Sequence, residues 1–471
     1  MSPAILFALV APLLMGGALL FCILPCKIKG GAQALVGVGL SVGLGLGLTS
    51  CGFFLWLLAF DASKGDFLAG ATGLMVVALA IGWFFQTAKE LPSAAGPPAS
   101  ASNPKIKAYL LAGLAVLLVL SAAVFYFRMQ EKPHGSNDAW LFWNMRARFL
   151  FRAGEHWRDA FLPHVVNPSY PLMLPSAIAA IWSSLGKEWL FIPKWVAAAY
   201  TVATVALLGG VLALLRGTTQ ALIAVIAVLS LSSFIIRGAS QVSDVPLGFY
   251  FLATLASLSL YDRLPQKNAR LLVLAGAMAG FSAWTKNEGL LFVLVLVLSR
   301  SFTVLLFRGW QTALKEVAYL GAGLAPVLLV ILYFKWNIAA PNDLVAAAKD
   351  SNFVLEKVST ASRYGEISVF YLKTLFLSGS VTLLNPLVYL IAFALIFKVR
   401  ILPEFKLNIL FTATALASML AGYYIVHLLV PYDLHFYLEH SLTRLLIQLW
   451  PSFLLLFFTA VRTPEEVQEN A

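Results

Sequence analysis

Long apolar runs separated by short charged ones dominate this chain. Segments of about 20 residues, the length that crosses a bilayer core, run at 4–25, 33–59, 67–87, 108–128, 193–215, 219–236, 245–261, 270–284, 289–307, 317–335, 369–397, 407–430 and 443–461. The pattern predicts about thirteen helical spans. The run 170–185 is shorter and carries Pro171 and Pro175, which predicts a re-entrant or interfacial helix rather than a crossing.

Composition excludes an ordinary soluble domain: of 471 residues 60% are hydrophobic and only 12% charged, with a mean hydropathy of +0.84. Long apolar runs with few charges satisfy their backbone in lipid as helices, so the fold class is an all-α polytopic integral membrane protein. The first run has no basic segment before it and Lys27 and Lys29 after it, which reads as a retained span rather than a signal peptide. Cys22, Cys26 and Cys51 show no pairing or metal-binding spacing and read as structural thiols. The net charge of +11 fits anionic membrane lipids and not nucleic acid, because no basic patch lies outside a membrane context.

Basic short loops orient the chain. One threading puts Lys27/Lys29, Lys89/Lys105/Lys107, Arg216, Arg263/Lys267/Arg270, Arg300/Arg308/Lys315, Lys398/Arg400/Lys406 and Arg462 together on the cytoplasmic side. All six histidines then fall outside or at the outer ends of spans, with the N-terminus outside and the C-terminus inside. The Pro/Ala/Ser-rich stretch 88–107 reads as a cytoplasmic linker between a three-span module, 1–87, and a larger core, 108–461. Residues 129–192 form the core's outer loop, and 462–471 a cytoplasmic tail.

Four polar groupings stand on the outer face. In the outer loop Asp138 sits among aromatics, followed by Arg146, Arg148, Arg152, His156, Arg158, His164 and Tyr170. A helix starting near Asn137 or Asp138 would place Trp140, Trp143, Asn144 and Ala147 on one face and Arg148, Arg152 and Glu155 toward water. Read structurally, Asp138 is a helix cap and the tryptophans an interfacial belt. Asp244 precedes Pro246 at the start of a span, where it serves equally as a cap. Lys286 and Glu288 fall in Thr-Lys-Asn-Glu-Gly, where one uninterrupted helix would bury two charges, so a turn at the outer surface is predicted. Finally, His440 precedes Arg444 and Gln448, which share a helix face at i, i+4.

Asp138-Ala-Trp, Asn167-Pro-Ser-Tyr170-Pro171, Asp244-Val-Pro, Thr285-Lys-Asn-Glu-Gly and His440-Ser-Leu-Thr-Arg444 together give residues 108–461 a resemblance to the C-type (GT-C) glycosyltransferases. The likeness is to protein O-mannosyltransferases, aminoarabinose transferases and related bacterial polyprenyl-phosphate-sugar enzymes. It implies inverting transfer of a sugar from a polyprenyl-phosphate donor to a glycan, lipid or protein acceptor, on the outer face of a bacterial inner membrane. By the resemblance Asp138 is the catalytic base. Asp244, Lys286, Glu288, Arg444, Arg146, His164, Tyr170 and His440 would bind substrate, with Lys286 and Arg444 at the lipid phosphate. Many relatives have His-Pro where this chain has Asn167-Pro168, and Ala139 stands where a second acid is common. A divalent cation is therefore left open, and no other cofactor is implied. No nucleotide-binding glycine motif occurs in a suitable context, in keeping with a lipid-linked donor. The rival readings are a transporter or flippase for a lipid-linked or anionic solute and a non-catalytic relative.

Overall fold

The computed structural model describes residues 2–24, 30–60, 67–85, 104–264, 267–341, 346–377 and 385–468. These are helical throughout, with no strand; one isolated antiparallel bridge joins Val399 and Val461. In chain order the helices are α1 (Pro3–Ile23), α2 (Gly31–Phe60), α3 (Phe67–Phe85), α4 (Pro104–Glu131), α5 (Asn144–Arg152), α6 (Met173–Leu185), α7 (Phe191–Arg216), α8 (Thr218–Ser230) and α9 (Ser232–Ala239). They continue as α10 (Asp244–Arg263), α11 (Arg270–Thr285), α12 (Asn287–Arg308), α13 (Trp310–Asn337), α14 (Ser351–Ser359), α15 (Ala361–Leu377), α16 (Pro386–Phe397), α17 (Lys406–Leu428), α18 (Leu434–Ala460) and α19 (Pro464–Gln468).

Among the described residues nine helices are long and apolar enough to cross a membrane, ten if α8 and α9 form one span bent by 67°. This fits a polytopic membrane protein. Of the thirteen predicted runs, some form shorter helices and others lie partly outside the described residues. α11 has 16 residues and α16 has 12, and the run predicted at 369–397 holds the end of α15 and all of α16, with residues 378–384 between them outside the described residues. The α8–α9 bend falls at Leu231, just after Ser230 turns its hydroxyl back onto the Ala227 carbonyl, a contact that competes with the helix ladder. Most of the predicted linker, up to residue 103, lies outside the described residues, as does Cys26, while Cys51 is a buried free thiol.

Backbone proximity between α1 and α2 follows from their small residues. A Cβ on Gly16 would sit 1.9 Å from the Ser41 carbonyl oxygen, and one on Gly45 1.8 Å from that of Pro12. α2 continues into the centre of the bundle. Ser50 donates to the Leu172 carbonyl and accepts from Trp284 Nε1, while Ser176 donates to the Ser50 carbonyl. These bonds fix the start of α6, whose residues Met173 to Ser183 are buried among neighbouring helices.

One end of the bundle is closed by ion pairs and backbone contacts. Arg270 reaches the Ile23 carbonyl (3.4 Å), Arg216 pairs with Glu466 (3.0 Å), and Arg462 N donates to the Lys398 carbonyl (3.2 Å). Between α10, α12 and α13 lies a buried ring: Arg300 contacts Asp262 and Glu316 at 2.7 Å each, and Arg308 contacts the same two acids at 2.8 and 2.9 Å. Two cations and two carboxylates are mutually satisfied there, as burial of charge requires. Asp244 and the Lys286–Glu288 turn lie at the other ends of α10 and α12.

Candidate functional site

Asp244 is the first residue of α10 and is fully buried. It does not cap that helix with its side chain. Instead its carboxylate accepts from Arg444 Nε at 3.0 Å and Gln448 Nε2 at 3.1 Å, with Lys286 Nζ at 3.4 Å. Gln448 is steadied by the Tyr423 hydroxyl, which donates to its Oε1 at 2.8 Å. Such a carboxylate carries its charge in an apolar surrounding only because cations and donors surround it.

Lys286 lies between α11 and α12 in extended backbone, φ −160° and ψ 160°, where the helical run breaks as predicted for two charges near lipid. Its ammonium is 5% exposed and held between Asp244 and Glu288, the latter at 2.7 Å. Burial opposes its charge, but the Glu288 and Asp244 carboxylates outweigh burial and raise its pKa above the ordinary lysine value. It also lies 5.8 Å from the centre of the Tyr170 ring.

Asp138 is no helix cap either. The helical turn begins at Asn137 and widens into a π-turn over Ala139–Trp143, leading into α5. Its carboxylate, 28% exposed, forms a 2.5 Å ion pair with Arg444 Nη1. The wider turn breaks the predicted face: Trp143, Asn144 and Ala147 are buried while Trp140 is 58% exposed. The segment is fixed to the α9–α10 turn by Ser136 N donating to the Ser240 carbonyl and by Asn144 Nδ2 donating to Gln241 Oε1. Arg152 faces water as expected, 61% exposed, while Arg148 is only 20% exposed; both pair with Glu188.

Arg146 is wholly buried and donates to the carbonyls of Val166 (2.7 Å) and Asn167 (2.5 Å). Asn167 is held at φ 51°, a left-handed conformation that asparagine tolerates better than most residues. Burial lowers the Arg146 pKa to about 10, which leaves it charged at neutral pH. It therefore clamps a loop. At that loop's end the Tyr170 ring stacks on Trp143, 5.6 Å between centres, and burial pushes its phenol pKa up, keeping it neutral.

The structure thus brings Asp138, Asp244, Lys286, Glu288, Arg444 and Tyr170 together, with Arg146 behind Tyr170. It does not bring His164 or His440 into that contact set. α18 starts at Leu434, capped by Asp433, which accepts from Phe436 N at 2.8 Å. His440 is consequently on an exposed early turn, stacked on Phe436 with its Nδ1 at the Phe436 carbonyl. His164 is exposed on the loop before α6.

Two cations at this end escaped the sequence reading as site residues. Lys335, near the end of α13, bonds to the Ser169 carbonyl and, at 2.6 Å, to Asn287 Oδ1. Arg237 on α9 is half-buried, within electrostatic range of Asp138, Asp244 and Arg444, yet its guanidinium has no hydrogen bond or ion pair among the described residues. Its position beside Asp244 in Arg237-Gly-Ala-Ser-Gln-Val-Ser-Asp244 was the available signal. An apolar cavity of about 330 Å³ opens nearby, lined by Leu231, Ser233, Leu416, Thr443, Ile447 and Trp450 among others. Thr443 and Ile447 are the chain neighbours of Arg444 and Gln448. Among the described residues no three His, Cys, Asp or Glu side chains are grouped to hold a metal ion.

Comparison with protein-family models, curated proteins and solved structures gave no match to this chain.

Proposed function

We propose that this chain is an inverting glycosyltransferase of the GT-C kind, which moves a sugar from a polyprenyl-phosphate donor to an acceptor hydroxyl. The observation that carries the reading is the Asp138–Arg444–Asp244 chain of contacts: a solvent-reached carboxylate and a guanidinium, a group chemically suited to phosphate, meet beside an apolar cavity. In the reaction the acceptor oxygen bonds to the anomeric carbon as that carbon's bond to the phosphate oxygen breaks. Asp138 takes the acceptor proton, and the lipid phosphate leaves with the bonding electrons, its charge met by cations of the site. The site faces the exterior of a bacterial inner membrane, and the acceptor is a glycan, lipid or protein.

A transporter for an anionic solute is the second reading. The buried Arg300–Asp262–Glu316–Arg308 ring favours it, because charge clusters at both ends of one bundle resemble a pair of gates. Incubation of the purified full chain with polyprenyl-phosphate sugars and candidate acceptors separates the two. Sugar transfer that falls about 10²- to 10⁴-fold in Asp138→Asn, with donor binding no weaker than in the wild type, is the expected result. Undiminished transfer by that variant removes Asp138 as the base; solute uptake into vesicles with no transfer establishes the transporter instead.

A further inference from the structure

Arg444 uses its guanidinium unevenly. Nε is committed to Asp244, which is fully buried and held also by Gln448 and Lys286. Nη1 holds Asp138, and Nη2 makes no hydrogen bond among the described residues. A phosphate recognised by two parallel N–H bonds needs both donors of one guanidinium edge. The edge containing Nε is blocked by a carboxylate that cannot move without stranding a buried charge. The Nη1–Nη2 edge is blocked only by Asp138.

Asp138 is suited to leave. Its carboxylate is 28% exposed, and Arg444 is its one hydrogen-bond or ion-pair partner among the described residues. The backbone around it is held by other bonds, from Ser136 to Ser240 and from Asn144 to Gln241, so releasing the side chain need not unfold the segment. Arg237 is a second cation of this group, within electrostatic range of Asp138, Asp244 and Arg444, and it engages in no ion pair among the described residues.

We propose that a phosphate monoester or diester binds across the Nη1–Nη2 edge of Arg444, with Arg237 as its second cation, and that it does so by displacing the Asp138 carboxylate. This rests on the donor reading above and adds a coupling to it. While the site is empty, Asp138 is tied to Arg444. When a donor phosphate takes its place, the carboxylate oxygens are released to accept a proton from an acceptor hydroxyl. Base and donor are thereby linked, and by reciprocity whatever removes Asp138 from Arg444 tightens phosphate binding.

The exchange can be read in the wild-type full chain, in lipid nanodiscs, by carbodiimide-driven coupling of an amine to Asp138 and peptide mass spectrometry. The probes are inorganic phosphate and a short prenyl phosphate, with binding of each measured separately. Saturation with either probe should raise Asp138 coupling several-fold. Asp138→Asn should bind the probe about tenfold more tightly and Arg237→Gln about tenfold more weakly, a factor corresponding to about 1.4 kcal/mol. Equal potency of the two probes assigns the exchange to phosphate alone; a prenyl phosphate effective at tenfold lower concentration assigns it to a lipid phosphate seated over the apolar cavity. Binding with unchanged or reduced Asp138 coupling overturns the exchange and leaves the donor reading standing. Absence of binding by both probes overturns both. The coupling measurement needs no variant, so a misfolded mutant cannot obscure it.

Discussion

Gly248 lies against the backbone of Gln448. A Cβ at position 248 would come within 2.8 Å of the Gln448 carbonyl oxygen and 3.2 Å of its Cα. Because Gln448 and Arg444 both reach Asp244 from α18, the closeness of α10 and α18 at this glycine sets the length of the bonds that keep Asp244 charged.

Gly248→Ala should therefore push the helices apart and disturb the site as well as the packing. Backbone lies opposite, so no flexible side chain can give way. Overpacking of this kind costs about 1–3 kcal/mol. A lowered melting temperature in detergent, together with weaker phosphate binding, is expected; a variant with wild-type values for both would show that α10 and α18 adjust freely.

Lys286→Ala should destabilise the protein more than a surface lysine change would. It leaves Asp244 and Glu288 without their shared cation, and breaking a buried pair from one side costs about 3–5 kcal/mol. The double variant Lys286→Met with Asp244→Asn should recover part of that loss. The sign of the pH dependence follows from the raised lysine pKa. The stabilisation is fully present below the ordinary value of 10.5 and is lost as pH rises through the higher folded value. Melting temperatures of wild type and Lys286→Met across that alkaline range should converge as pH increases.

Thr218, exposed at the start of α8, lies at the end of the bundle closed by Arg216 and Glu466. The positive-inside threading makes a prediction here: a cysteine placed at this position should resist an impermeant thiol reagent in intact cells and react after permeabilisation. A cysteine at exposed His164 should react in intact cells. The reverse pattern would put the Asp138 site on the cytoplasmic side.

Much of the frame is legible along the chain. Length and polarity of the apolar runs dictate helices in lipid, since no other backbone arrangement without a closed barrel satisfies its own hydrogen bonds there. The cost of burying Lys286 and Glu288 within one helix dictates the break between α11 and α12. Spacing alone puts Arg444 and Gln448 on one face, and both reach Asp244. The local details were harder to read. The π-turn after Asp138 moves Trp140 away from Trp143, and α18 begins at Leu434, before the apolar run that suggested it.

What the sequence determined by itself is therefore the solvent the protein lives in, the helical class, and which short segments carry charge at membrane depth. These depend on composition and on interactions a few residues apart. Tertiary structure alone decided which charge neutralises which. Asp138, Asp244, Lys286 and Arg444 come from segments far apart in the chain, and the pairing of Arg444 with both acids and of Lys286 with Asp244 depends on where helices cross and how closely glycines such as Gly248 let them approach. It also left Arg237 without a contacting acid among the described residues and closed the ring of Asp262, Arg300, Arg308 and Glu316 at the other end. A charge near lipid announces the need for a partner through its solvation cost, but only the packed bundle chooses that partner.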